Sequence, residues 1–142
     1  MNLGKVAKRL GISEDRLQGL QETIIRESSW PEPRLLRFEK ETSGIEAGTV
    51  VFRSGEVVYG YPKIRRPLML GAAIKRHFSD NVAVEEKMNG HNVRVLSIDG
   101  EVVALTRGGF ICPYSTEVAA RLLPEEVFEE NPNLVMCGEM VG

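Results

Sequence analysis

The sequence predicts an α+β fold built on antiparallel sheet and preceded by a small helical module. Residues 3 to 27 place apolar side chains at helical spacing, residues 35 to 60 and 91 to 107 alternate as strands do, and short Gly-containing turns join the strand-like runs. Connections that short join antiparallel neighbours.

In the helical start, Leu3, Val6, Leu10, Leu17, Leu20 and Ile24 recur at a helical period, and Gly11 followed by Ser13 reads as the end of one helix and the N-cap of the next. A short helical hairpin is expected. After Trp30-Pro31-Glu32-Pro33, the runs Thr49 to Arg53 and Glu56 to Tyr59 flank Ser54-Gly55, which reads as a two-residue hairpin turn. Residues 67 to 78 are expected as a helix opened by Pro67, and residues 82 to 89 as a strand. Farther on, Ser115 or Thr116 is the expected N-cap of a helix to about Leu123. Pro124 then starts an acidic turn, and Leu134 to Met136 returns as an apolar strand.

A length of 142 residues suits one compact domain or a part of something larger. The formal net charge of -2, from 18 basic and 20 acidic side chains, predicts neither a nucleic-acid coat nor a membrane anchor. The distribution is less even: Lys63, Arg65, Arg66, Lys75, Arg76 and His77 fall in an acid-free stretch, whereas Glu117 to Glu139 holds six glutamates and one arginine. Such a basic stretch is either a solvated face or a phosphate-facing one. Cys112 and Cys137 form no CxxC pair and have no zinc-finger histidine, so reduced thiols are expected. The start lacks an apolar signal segment, and no run approaches the ~20 apolar residues that span a bilayer, so a cytoplasmic location without membrane partners is expected.

The candidate chemistry begins at Lys87-Met88-Asn89-Gly90. A strand over residues 82 to 89 would put Ala83, Glu85, Lys87 and Asn89 on one face. Asp99-Gly100 between two alternating runs signals a type I′ hairpin, which pairs Ile98 with Glu101, Leu96 with Val103, Arg94 with Leu105 and Asn92 with Arg107. Asn92, Arg94 and Arg107 then share a face, followed by Gly108-Gly109. From spacing alone this is either an anion pocket or a surface hairpin with solvated arginines. Glu139 stands alone among the glycines and apolar residues of the last strand, where packing needs no acid.

Taken together, Glu85-Glu86-Lys87-Met88-Asn89-Gly90-His91-Asn92-Val93-Arg94, then Thr106-Arg107-Gly108-Gly109, then Cys137-Gly138-Glu139-Met140-Val141-Gly142 resemble the first three ordered motifs of the covalent nucleotidyltransferases. These are the DNA ligases, RNA ligases and mRNA capping enzymes. The first string and the segment ahead of it look most like the homodimeric archaeal ATP-dependent RNA ligases. The resemblance implies an antiparallel-sheet, ATP-grasp-like ligase adenylation domain over residues 67–142, preceded by a helical and β-hairpin module over residues 1–66. It implies that Lys87 attacks the ATP α-phosphate to form lysyl-AMP, that AMP passes to an RNA 5′-phosphate, and that a 3′-OH displaces it.

By the same resemblance Glu86 contacts adenine, Asn92 orients a metal-bound water, Arg107 lies near ribose or phosphate and Glu139 accepts from a ribose hydroxyl. Arg94 is a further nucleotide-binding candidate. The implied cofactors are ATP and Mg2+ or Mn2+, with the metal bound chiefly through phosphates and water. The implied partner is RNA with 5′-phosphate and 3′-OH ends, and the implied whole enzyme is a homodimer. The family's later motifs, with the remaining metal-binding acid and phosphate-contacting lysines, are missing before Gly142. The chain therefore reads as truncated, with little ligase activity expected of it alone. A DNA ligase or capping-type nucleotidyltransferase shares the nucleotide motifs. A reading of another class is a non-catalytic DNA-binding protein, since VAKRLGISEDRL also resembles the opening of a helix-turn-helix.

Overall fold

The structure is a computed structural model that describes residues 2–23, 25–28, 35–52, 54–62, 68–78 and 81–142. Helix α1 (Leu3–Leu10) begins at Asn2, whose side chain accepts from the Lys5 amide, and ends at Gly11 in the left-handed region. Helix α2 (Glu14–Thr23) opens on Ser13, whose hydroxyl accepts from the Arg16 amide at 3.3 Å. The helical hairpin stops earlier than expected. Residues Ile25–Ser28 are strand β1, because they hydrogen-bond to β2 (Leu35–Phe38), and a ladder of that kind overrides a weak helical period. Ile24 and the Trp30 to Pro33 segment lie outside the described residues.

Strand β3 (Val50–Phe52) pairs with β2 and with β4 (Val57–Val58), all antiparallel, giving a first sheet ordered β1-β2-β3-β4. The β3–β4 connection is one residue longer than the expected two-residue turn. Val51 faces Val57, and the Phe52 amide donates to Glu56 O, with Gly55 at φ 88 completing the loop. Helix α3 (Leu70–His77) starts beyond the expected Pro67, which is outside the described residues, as are Lys63, Arg65 and Arg66.

The second sheet is ordered β6-β5-β7, from β5 (His91–Ile98), β6 (Glu101–Thr106) and β7 (Met136–Met140). Asp99 at φ 51 and Gly100 at φ 85 form the expected type I′ turn, and the register runs from Ile98↔Glu101 through Arg94↔Leu105 to Val93↔Thr106. Residues 81–89 form no strand. A strand requires a partner, and these residues pair with no described strand of either sheet. Helix α4 (Pro113–Leu122) begins ahead of the expected cap because Pro113 suits the first helical position. The Thr116 hydroxyl accepts instead from the Ala104 amide at 3.0 Å, tying α4 to β6. Helix α5 (Glu126–Glu130) is the acidic turn after Pro124.

Period-2 alternation arranges these elements in layers. Val51, with Phe38 and Ile45, packs on Val6, Leu10 and Leu17 of the helical pair. The neighbours Val50 and Phe52, with Val58, point the other way, into one cluster with Leu96, Ile98, Val103 and Leu105 of the second sheet. Val93, Val95 and Ala104 cover the opposite face of that sheet against Ala119 and Phe128 of α4 and α5. The order is helices, sheet, sheet, helices. One core cluster therefore runs across residues 66 and 67, between segments that the sequence separates into two modules. The apolar face of α1 and α2 is spent on the first sheet, and Arg9 and Tyr59 add hydrogen bonds between them.

Candidate active site

Strand β5 carries the site at its first residues, which pair with β7 just beyond the end of β6. Asn92 pairs with Glu139 of β7, and its Nδ2 donates to Gly138 O at 3.2 Å. Arg107 follows directly on β6. The irregular segment before β5 brings Glu86 and Lys87 over the same end of the sheet. These side chains, with Tyr61 from the segment after β4, line a cleft of about 680 Å³. Glu86, Lys87, Asn92, Arg107 and Glu139, five of the six residues singled out from sequence, thus converge on one cavity.

Lys87 is exposed, and its Nζ donates to its neighbour's carbonyl, Met88 O, at 3.1 Å. The cleft lining includes two cationic side chains, Lys87 and Arg107, and three carboxylates, Glu85, Glu86 and Glu139. A polyphosphate entering it needs additional positive charge, which a divalent cation supplies. The residues fit such a cation bound mainly through phosphates and water. Asn92 Oδ1 is a buried acceptor without a protein partner, and no group of three metal-ligating side chains occurs among the described residues.

Arg94, the sixth residue, does not line the cleft. Its register is the expected one, but its face of β5 lies under the first sheet, and the residue is 1% exposed. The guanidinium donates to Gly48 O at 2.9 Å, to Thr106 O at 3.0 Å and to Tyr59 O. Burial pushes it below its ordinary value, with Cys137 and Tyr61 acting in the opposite sense. Three backbone segments are pinned by one side chain, and two of them lead directly to Tyr61 and Arg107.

Tyr61 carried no signal in the sequence, and Gly90 stood out only as part of the Lys87-Met88-Asn89-Gly90 string, without a role of its own. At Gly90 a Cβ would lie 2.1 Å from Met140 O and 3.1 Å from Glu139 Cγ, so only glycine lets the segment after Lys87 cross β7 this closely. Gly90→Ala is expected to cost about 1–3 kcal/mol of stability, as overpacking does, and to displace Lys87 relative to Glu139. A thermal midpoint equal to the parent's would contradict the close crossing.

Beside the cleft, Ser115 is fully buried and donates to Cys112 Sγ at 3.2 Å. Ser115 Oγ also lies 3.2 Å from His91 Nε2, within hydrogen-bonding distance. The Ser115 hydroxyl and the Ser115 and Tyr114 amides lower the Cys112 thiol, against a smaller opposing effect of burial. Ser115→Ala should therefore move the pH profile of Cys112 alkylation to higher pH, read by mass-resolved labelling. An unmoved profile would remove Ser115 from that role.

Residues 80–142 match the RNA ligase family model. Along its whole length the chain superposes on two forms of an archaeal ATP-dependent RNA ligase, with TM-scores of 0.89 and 0.88 at 43% identity, and covers 39% of that ligase. An uncharacterized protein of Methanocaldococcus jannaschii is 44% identical over 144 residues, matching 99% of this chain and 36% of its own length. A protein of Aquifex aeolicus assigned as an ATP-dependent DNA ligase gives a TM-score of 0.81 at 32% identity, over 89% of this chain and 35% of that one. The resemblance to archaeal ATP-dependent RNA ligases is thus borne out, and it is to their N-terminal portion. The chain spans under two-fifths of the length of these relatives. Its helices and antiparallel sheets are those of a ligase nucleotidyltransferase-type fold. No helix among the described residues is long and apolar enough to cross a membrane.

Proposed function

We propose that this chain is the nucleotide-binding portion of an ATP-dependent RNA ligase and that Lys87 accepts AMP from ATP. The convergence of Lys87 with Glu86, Asn92, Arg107 and Glu139 on one cleft carries the reading. In the proposed step the Lys87 amine attacks the α-phosphorus, a nitrogen–phosphorus bond forms, and pyrophosphate departs with the electrons of the broken phosphorus–oxygen bond. The nucleophile gives up its proton to solvent. Mg2+ or Mn2+, bound by the phosphates and a water on Asn92 Oδ1, would neutralise charge there.

Glu86 receives adenine, and Glu139 accepts from a ribose hydroxyl, a charge-assisted bond of the stronger kind. Arg107 faces ribose or phosphate. Arg94 supports the nucleotide site by holding the segments that carry Tyr61 and Arg107. Later steps, AMP transfer to an RNA 5′-phosphate and joining by a 3′-OH in a cytoplasmic homodimer, are proposed for the whole ligase. For this chain alone, with positioning and charge neutralisation incomplete, little end joining is expected. RNA is favoured over DNA because the family model matched is that of RNA ligases and because identity to the RNA ligase exceeds that to the DNA ligase relative.

Intact-mass analysis after incubation with ATP and magnesium, followed by peptide mapping, tests the proposal. An AMP adduct on Lys87 is expected. Absence of any adduct, both here and in a version extended to the length of the relatives, would overturn it.

A further inference from the structure

Arg107 is held from behind. Its loop is short and closed on itself: the Gly109 amide donates to Thr106 O at 2.9 Å, the Thr106 amide to Phe110 O at 2.8 Å, and the Phe110 amide to Thr106 Oγ1 at 3.2 Å. Strand β2 and the turn that leads into β3 grip this loop. On one side a Cβ at Gly48 would meet Arg107 O at 2.2 Å, so the two backbones are in direct contact.

On the other side lies Arg37 of β2, with a side chain only 12% exposed. Its guanidinium carbon sits 3.9 Å from the centroid of the Phe110 ring, Nη1 reaches Gly108 O at 3.5 Å, and Nη2 donates to Glu39 Oε1 at 2.7 Å. A Cβ at Gly109 would lie 3.2 Å from Arg37 Cγ, so the aliphatic stem fills the space that a glycine leaves. Phe110 is half exposed, and the Arg37 guanidinium stacks on its ring.

Charge and position define the role. Glu39 offsets the charge of Arg37, and Arg37 lines a neighbouring recess of about 430 Å³ rather than the nucleotide cleft. Arg107 and Tyr61 line both. We infer that Arg37 is a positioning residue for Arg107, clamping the 107–110 loop through Phe110 and Gly108 so that the Arg107 side chain faces the nucleotide. The inference rests on the reading of the cleft as the ATP site. It gives the N-terminal sheet a direct effect on nucleotide binding.

Two readouts test it, the first on the parent and Arg37→Ala, the second on Arg37→Ala, Arg107→Ala and the double variant. The first is the rate of trypsin cleavage at the Arg107–Gly108 bond, followed by mass spectrometry, with cleavage after Arg121 as the control for global unfolding. Arg37→Ala should accelerate cleavage after Arg107 about five- to tenfold, as loss of a cation–π contact and a hydrogen bond implies, and leave Arg121 unchanged. The second is the ATP concentration for half-maximal adduct formation on Lys87. It should rise about as much in Arg37→Ala, but show no further rise when Arg37→Ala is added to Arg107→Ala. Arg37→Lys keeps the charge but not the planar stack and should restore little.

Unchanged cleavage after Arg107 would overturn the clamp whether or not the protein takes AMP. Accelerated cleavage with unchanged ATP dependence, or additive effects in the double variant, would overturn the positioning role. A parent protein that takes no AMP at either length would overturn the nucleotide reading and, with it, the role assigned to Arg37, while the cleavage data still report on the clamp.

Discussion

Lys87→Ala is expected to lower AMP attachment by at least about 10³-fold without measurable loss of stability. A nucleophile forms the covalent bond itself, and removing such a group costs rates of that order or more. Stability should stay within about 0.5 kcal/mol of the parent, because Lys87 is exposed and, among the described residues, its amine bonds only to the adjacent Met88 carbonyl. Lys87→Arg is the sharper control. It keeps the positive charge that would attract ATP, but a guanidinium stays protonated and supplies no free amine, so it too should fail to take AMP. Intact mass reads both variants directly. An adduct that persists at another residue in Lys87→Ala would move the nucleophile elsewhere and overturn the assignment.

Arg94→Met is expected to have the largest effect on stability, a loss of about 3–5 kcal/mol. The replacement fills part of the volume but removes the guanidinium donor from Gly48 O and Tyr59 O and leaves Thr106 O with the Gly109 amide alone of its two donors. Against a total stability of about 5–15 kcal/mol for a typical domain, that is a large fraction. Arg94→Lys should recover only part of the loss, since a single ammonium cannot reproduce the fork that reaches three separate carbonyls. The measurement is the urea midpoint with its slope, which separates lost stability from a changed unfolded state. Loss of AMP attachment should accompany the loss of stability, because Thr106 adjoins Arg107 and Tyr59 lies two residues from Tyr61. A change in stability below about 1 kcal/mol would show that the three bonds contribute little.

What the sequence by itself determined is local. Asp99-Gly100 accepts positive φ at two successive positions, which sets the turn type, and the turn sets the register of β5 on β6 through Arg94↔Leu105. Period 2 then separated Val93 and Val95 from Arg94 and Leu96 without reference to the rest of the chain. The residues chosen for the site from short motifs, Glu86, Lys87, Asn92, Arg107 and Glu139, meet in one cleft.

Only the tertiary structure decided what each face meets. Arg94 sits on the face expected of it, yet the partners that draw its head group into the interior are carbonyls of residues 48 and 59, which no local pattern connects to it. Residues 82 to 89 alternate as a strand does but remain irregular, since strand formation depends on a partner and these residues pair with no described strand. The same holds for Gly90, Tyr61 and Arg37, whose importance comes from Met140, the cleft wall and Phe110. Turn chemistry and side-chain period act between neighbours in the chain, whereas close backbone crossings, buried cations and loop clamps act between segments that only folding brings together.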